Sequence, residues 1–190
     1  MPHSRRHFLA TSMALAATPA VVLAQDDPVS EAPLGTVKRR ISGFPTHRWQ
    51  DHFDNLRNGA ILCDTNSRAL FYWSEDESVT RIYPTSIPLT DELTRRGTTE
   101  VVLKRPSPDW RPTPDMLERN PDLPKYIGPG PENPLGTRAL NLSWQYYRIH
   151  GTNDIRKIGR RSSSGCIGLF NQHIEELYEL AKVGTQVILL

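Results

Sequence analysis

Nine prolines fall within residues 106–134, at positions 106, 108, 112, 114, 121, 124, 129, 131 and 134. Each fixes φ and removes a backbone donor, so neither a long helix nor an interior strand passes through this stretch. A connection of that length in a compact domain is either functional or disordered. The turn sequence Asn133-Pro134-Leu135-Gly136 closes it, and the regular structure must be built from what lies on either side.

Those flanks are rich in strand-forming residues. "AILCDTNSRALFYW" holds two short apolar runs separated by Thr65, Asn66, Ser67 and Arg68, which is turn chemistry between strands. "VTRIYP", "TTEVVLKRP", "RALNLSWQYYRIHG" and the terminal "TQVILL" add further segments rich in Val, Ile, Leu and Tyr. The chain therefore reads as mainly β. One helix is signalled after Asn171, a candidate N-cap, by Ile174, Leu177, Tyr178 and Ala181 at helical spacing. Glu175 and Glu176 suit its first turns, Lys182 its last, and Gly184 its stop. Regular structure is expected from Gly59 onward, preceded by a polar lead over 25–58 that Pro28, Pro33 and Pro45 interrupt. There is no internal repeat, and residues 59–190 form one domain.

The first 24 residues are set apart. "SRRHFLATSMALAATPAVVLAQ" joins Arg5 and Arg6 to a weakly apolar, Ala- and Thr-rich middle and a small-residue cleavage site before Gln25. This is a twin-arginine type of export signal, which predicts a periplasmic location. A membrane anchor is the alternative, but Pro19 and the hydroxyl residues leave it short of the ~20 strongly apolar residues that a span requires. Without Arg5 and Arg6, the 23 basic residues fall to the number of acidic ones, 21. The exported chain is thus neutral overall, which argues against a nucleic-acid partner.

Two cysteines in an exported chain would usually suggest a disulfide. "RIHGTNDIRKIGRRSSSGCIGL", from Arg148 to Leu169, suggests otherwise for Cys166. This cysteine lies between a strand ending at His150 and the helix, where its thiol can act as a nucleophile and nearby amides stay free. A thiolate is the reactive form, so a base must be close, and His150 supplies one. Ser164 and Gly165 are small enough to let a substrate carbonyl approach, and the Gly165 and Cys166 amides can hold an oxyanion. Cys63, inside the apolar run "AILCD", reads as a free structural thiol.

The combination of "IHG" and "SSGCI", with fifteen residues between His150 and Cys166, resembles the signature of the L,D-transpeptidase (YkuD-type) family of bacterial cell-wall enzymes, and "DWRPTPDM", "NPLGTRALNL", "RIHGTN" and "GTQVILL" look like that family's usual order of blocks. The resemblance covers residues 59–190. It implies a β-sandwich or cradle that holds the cysteine loop, with the C-terminal helix packed beside it. It also implies Cys166 as nucleophile, His150 as base and then acid, and the Gly151 carbonyl as the group that orients the imidazole. Gly165, Ser164, Ser163 and Arg148 would be the oxyanion and substrate-binding residues. The substrate would be a peptidoglycan stem tetrapeptide, held as a thioester after loss of D-alanine. The acceptor would be another stem's amine or an amine of an outer-membrane or wall-tethered protein. No metal or organic cofactor is implied.

Two positions depart from the family pattern. Ser164 stands where many members have histidine, and Gly168 where arginine or asparagine is usual. If that missing side chain braces the loop, Gly168 implies a looser loop and weaker binding. The other account, which we favour, is that Gly168 makes room for a bulkier donor or acceptor. Arg148, Arg160 and Arg161 either supply compensating charge or form a solvated surface, the latter being the commoner fate of such residues. Hydrolysis of the same thioester would give a carboxypeptidase, and loss of activity a peptidoglycan-binding module. Metal binding is the weakest reading, because His47, His52, His150 and His173 show no ligand spacing with Cys63 or Cys166. His47 and His52 belong to the polar lead, and His173 is expected on the solvent face of the helix start.

Overall fold

The computed structural model describes residues 44–190; the expected export signal and the first part of the polar lead lie outside the described residues. The strands are β1 (Ala60–Asp64), β2 (Ala69–Trp73), β3 (Thr80–Pro84), β4 (Ile87–Pro88), β5 (Gly97–Pro106), β6 (Arg138–Leu142), β7 (Arg148–His150), β8 (Arg161–Ser163), β9 (Ile167–Gly168) and β10 (Gln186–Leu189). Eight of them form one sheet in the order β3-β2-β1-β10-β5-β6-β7-β9, while β4 and β8 pair separately. The helices are α1 (Pro114–Arg119) and α2 (Asn171–Leu180). The fold is mainly β with a C-terminal helix, as the strand-rich segments predict.

Every residue of β1 and β2 is buried. The reason is that both faces of this half of the sheet are covered, so the runs show no polar alternation. On one face Ile61, Cys63, Leu70, Tyr72, Val187 and Leu189 pack with Ile174 and Leu177 of α2. On the other, Ala60, Leu62, Phe71 and Trp73 meet Phe53 and Leu56, flanked by Phe44 and Trp49. The packed region therefore begins before Gly59. Residues 44–58 form the cover of the second face, with one turn of 3-10 helix at Trp49–Asp51. His47 belongs to this cover, its Nε2 lying 3.2 Å from Asp64 Oδ2 and its ring against Phe71.

Helix α2 is fixed across the sheet by polar contacts as well as by its apolar face. Tyr83 Oη donates to Glu176 at 3.0 Å, Tyr72 Oη to the Leu180 carbonyl at 3.0 Å, and Lys104 Nζ to the Ala181 carbonyl at 2.8 Å. Several details differ from the sequence expectation: α2 ends at Leu180, so Ala181 and Lys182 lie beyond it, and its first turn carries no acidic residue. Phe170, not Asn171, occupies the N-cap position, and no side chain caps that end. His173 is not on a solvent face but packs between Tyr83 and Phe170, with Nδ1 buried.

The proline-rich segment is an ordered wall. Asn133 is fully buried and its Nδ2 donates to the carbonyls of Pro108, Ile127 and Gly128 at 2.9, 3.2 and 2.9 Å. Its Oδ1 accepts from Leu135 N. One side chain thus satisfies the Pro108 and Gly128 carbonyls in a stretch poor in N–H groups, while Ile127 O also accepts from Trp110 N at 2.8 Å. Thr113 caps α1, and Pro114 starts it, where a missing N–H costs nothing.

Candidate active site

Strand β7 is short, and its alternation decides what faces where. Ile149 is fully buried, so Arg148 and His150 share the opposite face. Antiparallel pairing to β6 (Ala139↔His150) and parallel pairing to β9 (His150↔Gly168) hold the strand on both sides. A parallel partner requires a crossover, and residues 151–166 supply it through a 3-10 turn at Ile155–Lys157 and then β8. Cys166 is the last residue of that crossover. The register therefore brings it beside β7 although 15 residues separate it from His150 along the chain.

Both side chains line one cavity of about 540 Å³. The proline-rich wall forms its far side through Trp110, Thr113, Met116 and Leu123, and Tyr146 sits at the β6–β7 turn. Tyr147 Oη donates to Leu93 O at 2.9 Å and accepts from Arg95 N at 3.1 Å, which ties residues 93–95 to the same rim. Trp110, Thr113 and Met116 fall in the "DWRPTPDM" block, whereas Leu123 and the residues at 93–95 have no individual mark in the sequence. The density of prolines was the available signal.

His150 Nδ1 lies 2.6 Å from the Gly151 carbonyl, which accepts its proton and makes Nε2 the basic nitrogen. Burial pulls the imidazole down to about 4, with the Gly151 carbonyl opposing and the charges of Arg148 and Lys157 assisting. Cys166 Sγ donates to Tyr146 O at 3.4 Å. Dense surrounding protein pushes its thiol up from the ordinary value, although the side chain is only part-buried, while the Arg148 charge and backbone N–H pull it down. At neutral pH the resting pair is thus a thiol and a neutral imidazole.

The loop before Cys166 owes its shape to particular residues. Gly165 has φ of +132°, a conformation that an L side chain resists. Ser163 Oγ donates to Cys166 O at 2.5 Å, closing the turn, and the residue also lines the cavity. Ser164 is exposed on the cavity rim. The amides of Gly165 and Cys166 make no backbone hydrogen bond among the described residues.

Gly168 corrects the expectation of a looser loop. It is buried in β9, and it exchanges both backbone hydrogen bonds with Ser86, at 3.1 and 2.8 Å. A Cβ at this position would lie 2.2 Å from Ser86 Oγ. The position next to the Gly168 Cα is thus taken by this chain's own Ser86 hydroxyl, and both residues line the cavity. Arg160 and Arg161 are exposed and do not line the cavity, whereas Arg148 and Lys157 do.

Cys63 is buried in β1 as a free thiol. Among the described residues, no group of three or more His, Cys, Asp or Glu side chains is arranged to hold a metal ion. No described helix is long and apolar enough to cross a membrane.

Comparison with known proteins agrees with this architecture. The L,D-transpeptidase catalytic domain (YkuD) model matches residues 58–189. A Fuscovulum blasticum protein provisionally named an L,D-transpeptidase in the ATP synthase subunits region (ORF 5) is 52% identical over 94% of each chain. Escherichia coli K12 ErfK/SrfK, named a probable L,D-transpeptidase, is 35% identical over 70% of this chain but only 44% of its own length. Among solved structures, an L,D-transpeptidase from Mycobacterium smegmatis superposes with a TM-score of 0.53 at 20% identity, covering 70% of this chain and 58% of that one. L,D-transpeptidase 3 of Mycobacterium tuberculosis, solved with a faropenem-derived adduct, gives 0.54 at 16% identity over 70% and 60% of the two chains. The two structural matches show the fold alone; with the domain match and the sequence identities, they establish that this chain belongs to the L,D-transpeptidase catalytic-domain family.

Proposed function

We propose that this protein is an exported peptidoglycan L,D-transpeptidase that works through a Cys166 thioester. The observation that carries the proposal is the meeting of Cys166 and His150 in one cavity, with His150 Nδ1 committed to the Gly151 carbonyl. Its relatives' names and the faropenem-derived adduct on a structural neighbour support the same reading.

In this reading a stem tetrapeptide lies in the cavity with the carbonyl of its diamino acid beside Sγ. Neutral His150 takes the thiol proton at Nε2 as sulfur attacks, and the Gly165 and Cys166 N–H groups hold the resulting oxyanion. The imidazolium returns its proton to the departing D-alanine nitrogen, leaving a thioester on Cys166. An acceptor amine then attacks the thioester, His150 removes its proton, and the thiolate recovers that proton when the new amide forms. Arg148 and Lys157 supply positive charge to a ligand that carries carboxylates. The acceptor is another stem or an amine of a tethered protein, and the site of action is the periplasm.

Incubation with tetrapeptide muropeptides, read by mass, tests this. A cross-linked dimer or a D-amino acid exchange product is expected. Tripeptide alone would make the protein a carboxypeptidase, and unchanged substrate would leave a binding module.

A further inference from the structure

Asn171 carries the usual mark of a helix cap, yet its side chain is used elsewhere. Its Oδ1 accepts from Thr152 N at 3.0 Å and from Thr137 N at 3.3 Å. Thr152 follows Gly151 directly, and Thr137 follows the Gly136 turn that leads into β6. The oxygen occupies the space that a Cβ on either of two glycines would take. A Cβ on Gly136 would lie 2.1 Å from it, and one on Gly151 would lie 2.2 Å from it. Gly151 N in turn donates to Arg138 O at 3.1 Å, and Leu169 N to His150 O at 2.8 Å. The peptide that joins Gly151 to Thr152 is therefore held at its N–H end by Asn171, while its C=O end receives His150 Nδ1 at 2.6 Å.

We infer that Asn171 is the positioning residue for His150: by holding the Thr152 N–H it fixes the plane of the Gly151–Thr152 peptide, and so the carbonyl that sets the imidazole's tautomer and direction. A peptide unit is rigid, so restraining its N–H restrains its C=O on the other side. The carbonyl of an unrestrained peptide would turn freely at the end of a strand that stops at His150. Gly151 then has a role beyond its carbonyl, since its missing Cβ is the space that the Asn171 oxygen occupies. The two residues form one device, and Gly136 is its third part. Helix α2 is thereby tied to the base itself rather than merely packed beside the cysteine loop. The inference rests on His150 acting as the base.

The test compares acylation by faropenem in the wild type, Asn171→Asp, Asn171→Ala, Asn171→Ser and His150→Ala, with each variant's cooperative unfolding recorded. Asn171→Asp keeps an oxygen at the δ position and should stay within about threefold of the wild-type maximal rate. Asn171→Ala and Asn171→Ser withdraw that oxygen and should lose about tenfold or more in maximal rate, because small misplacements of a reacting group are costly. Their half-saturating faropenem concentration should change less than threefold. If Asn171→Ala does not fold, Asn171→Ser reads the same loss. Asn171→Ala or Asn171→Ser at the wild-type rate overturns the inference, as does Asn171→Asp falling as far as they do. If His150→Ala itself keeps the wild-type rate, the reading of His150 as base fails instead. A coupling check uses Gly151→Ala, whose new methyl must displace the Asn171 oxygen. Its rate loss should largely overlap with that of Asn171→Ala in the double variant, and independent, multiplying losses would also overturn the inference.

Discussion

Cys63 and Cys166 are the same side chain in opposite settings. Cys63 lies in β1 between Leu70 of β2 and Leu189 of β10, inside the core that α2 covers. Cys166 closes a crossover at the far edge of the same sheet, before β9, and opens on a cavity. Burial raises the pKa of both thiols. What separates them is what stands nearby. Around Cys63 there is only desolvation. Around Cys166 there are the Arg148 charge and N–H, a basic nitrogen lining the same cavity, and unbonded backbone amides. The features on which the proposed reactivity of Cys166 rests thus belong to the crossover and its neighbours, and a raised pKa alone does not separate the two thiols.

The largest effect should come from exchanging the two sites' fates. Cys166→Ala is expected to abolish acylation by a carbapenem, read as loss of the mass adduct, while Cys63→Ala keeps the wild-type rate within about twofold. An adduct on Cys63, or one that survives in Cys166→Ala, would erase the contrast.

Next comes the base. His150→Ala should slow acylation by ~10² or more, the usual scale for a positioned base. The pH profile sharpens this. Because burial pulls the His150 pKa down to about 4, the neutral, active form persists well below pH 6, and the rate should fall only as pH drops through about 4. The alkaline limb should lie above the ordinary thiol value, because the Cys166 pKa is raised. An acidic limb near the unperturbed histidine value would place the base outside the buried setting described.

Smaller effects belong to packing. Gly168→Ala puts a methyl where Ser86 Oγ lies and should destabilise by about 1–3 kcal/mol, as overpacking does. Ser86→Ala in the same chain should recover most of that, because the Ser86 Cβ is 3.6 Å away, an ordinary contact. Thermal unfolding of the single and double variants checks it, and equal losses in both would mean that Gly168 is required for another reason. Gly168→Arg should improve donor binding no better than Gly168→Ala does.

The smallest is Cys63→Ala, expected to cost about 1 kcal/mol in denaturant unfolding, the ordinary scale for trimming a buried side chain. Alkylation should label one thiol in the native protein and two after denaturation without reductant. No label after denaturation would mean that the two cysteines are joined.

Much of this was legible in the chain. Apolar runs marked the strands, the spacing of Ile174 and Leu177 marked α2, and "IHG" and "SSGCI" pointed to the two residues, His150 and Cys166, that line one cavity. Local signals carry such features because strand and helix periods are set by neighbours along the chain. Other features stayed hidden. The cover over Leu62 and Phe71 comes from residues 44–58, whose polar composition conceals Phe53 and Leu56 among charged neighbours. His173 looked like a surface residue because its place between Tyr83 and Phe170 depends on β3 lying beneath α2.

The sequence by itself determined the strand-rich class, the helix, and the cysteine and histidine proposed for acyl transfer. Tertiary structure alone decided their partners. Ser86 fills the space at Gly168 from 82 residues away, Asn171 holds the peptide after His150 from 19 positions beyond it, and Asn133 satisfies carbonyls that the prolines leave unpaired. Each of these contacts follows from sheet register and from how chain segments distant in sequence come to lie within a hydrogen bond's length. That distance is fixed only when the whole core has closed, because a shift of one residue in register would turn every side chain on the strand to the other face.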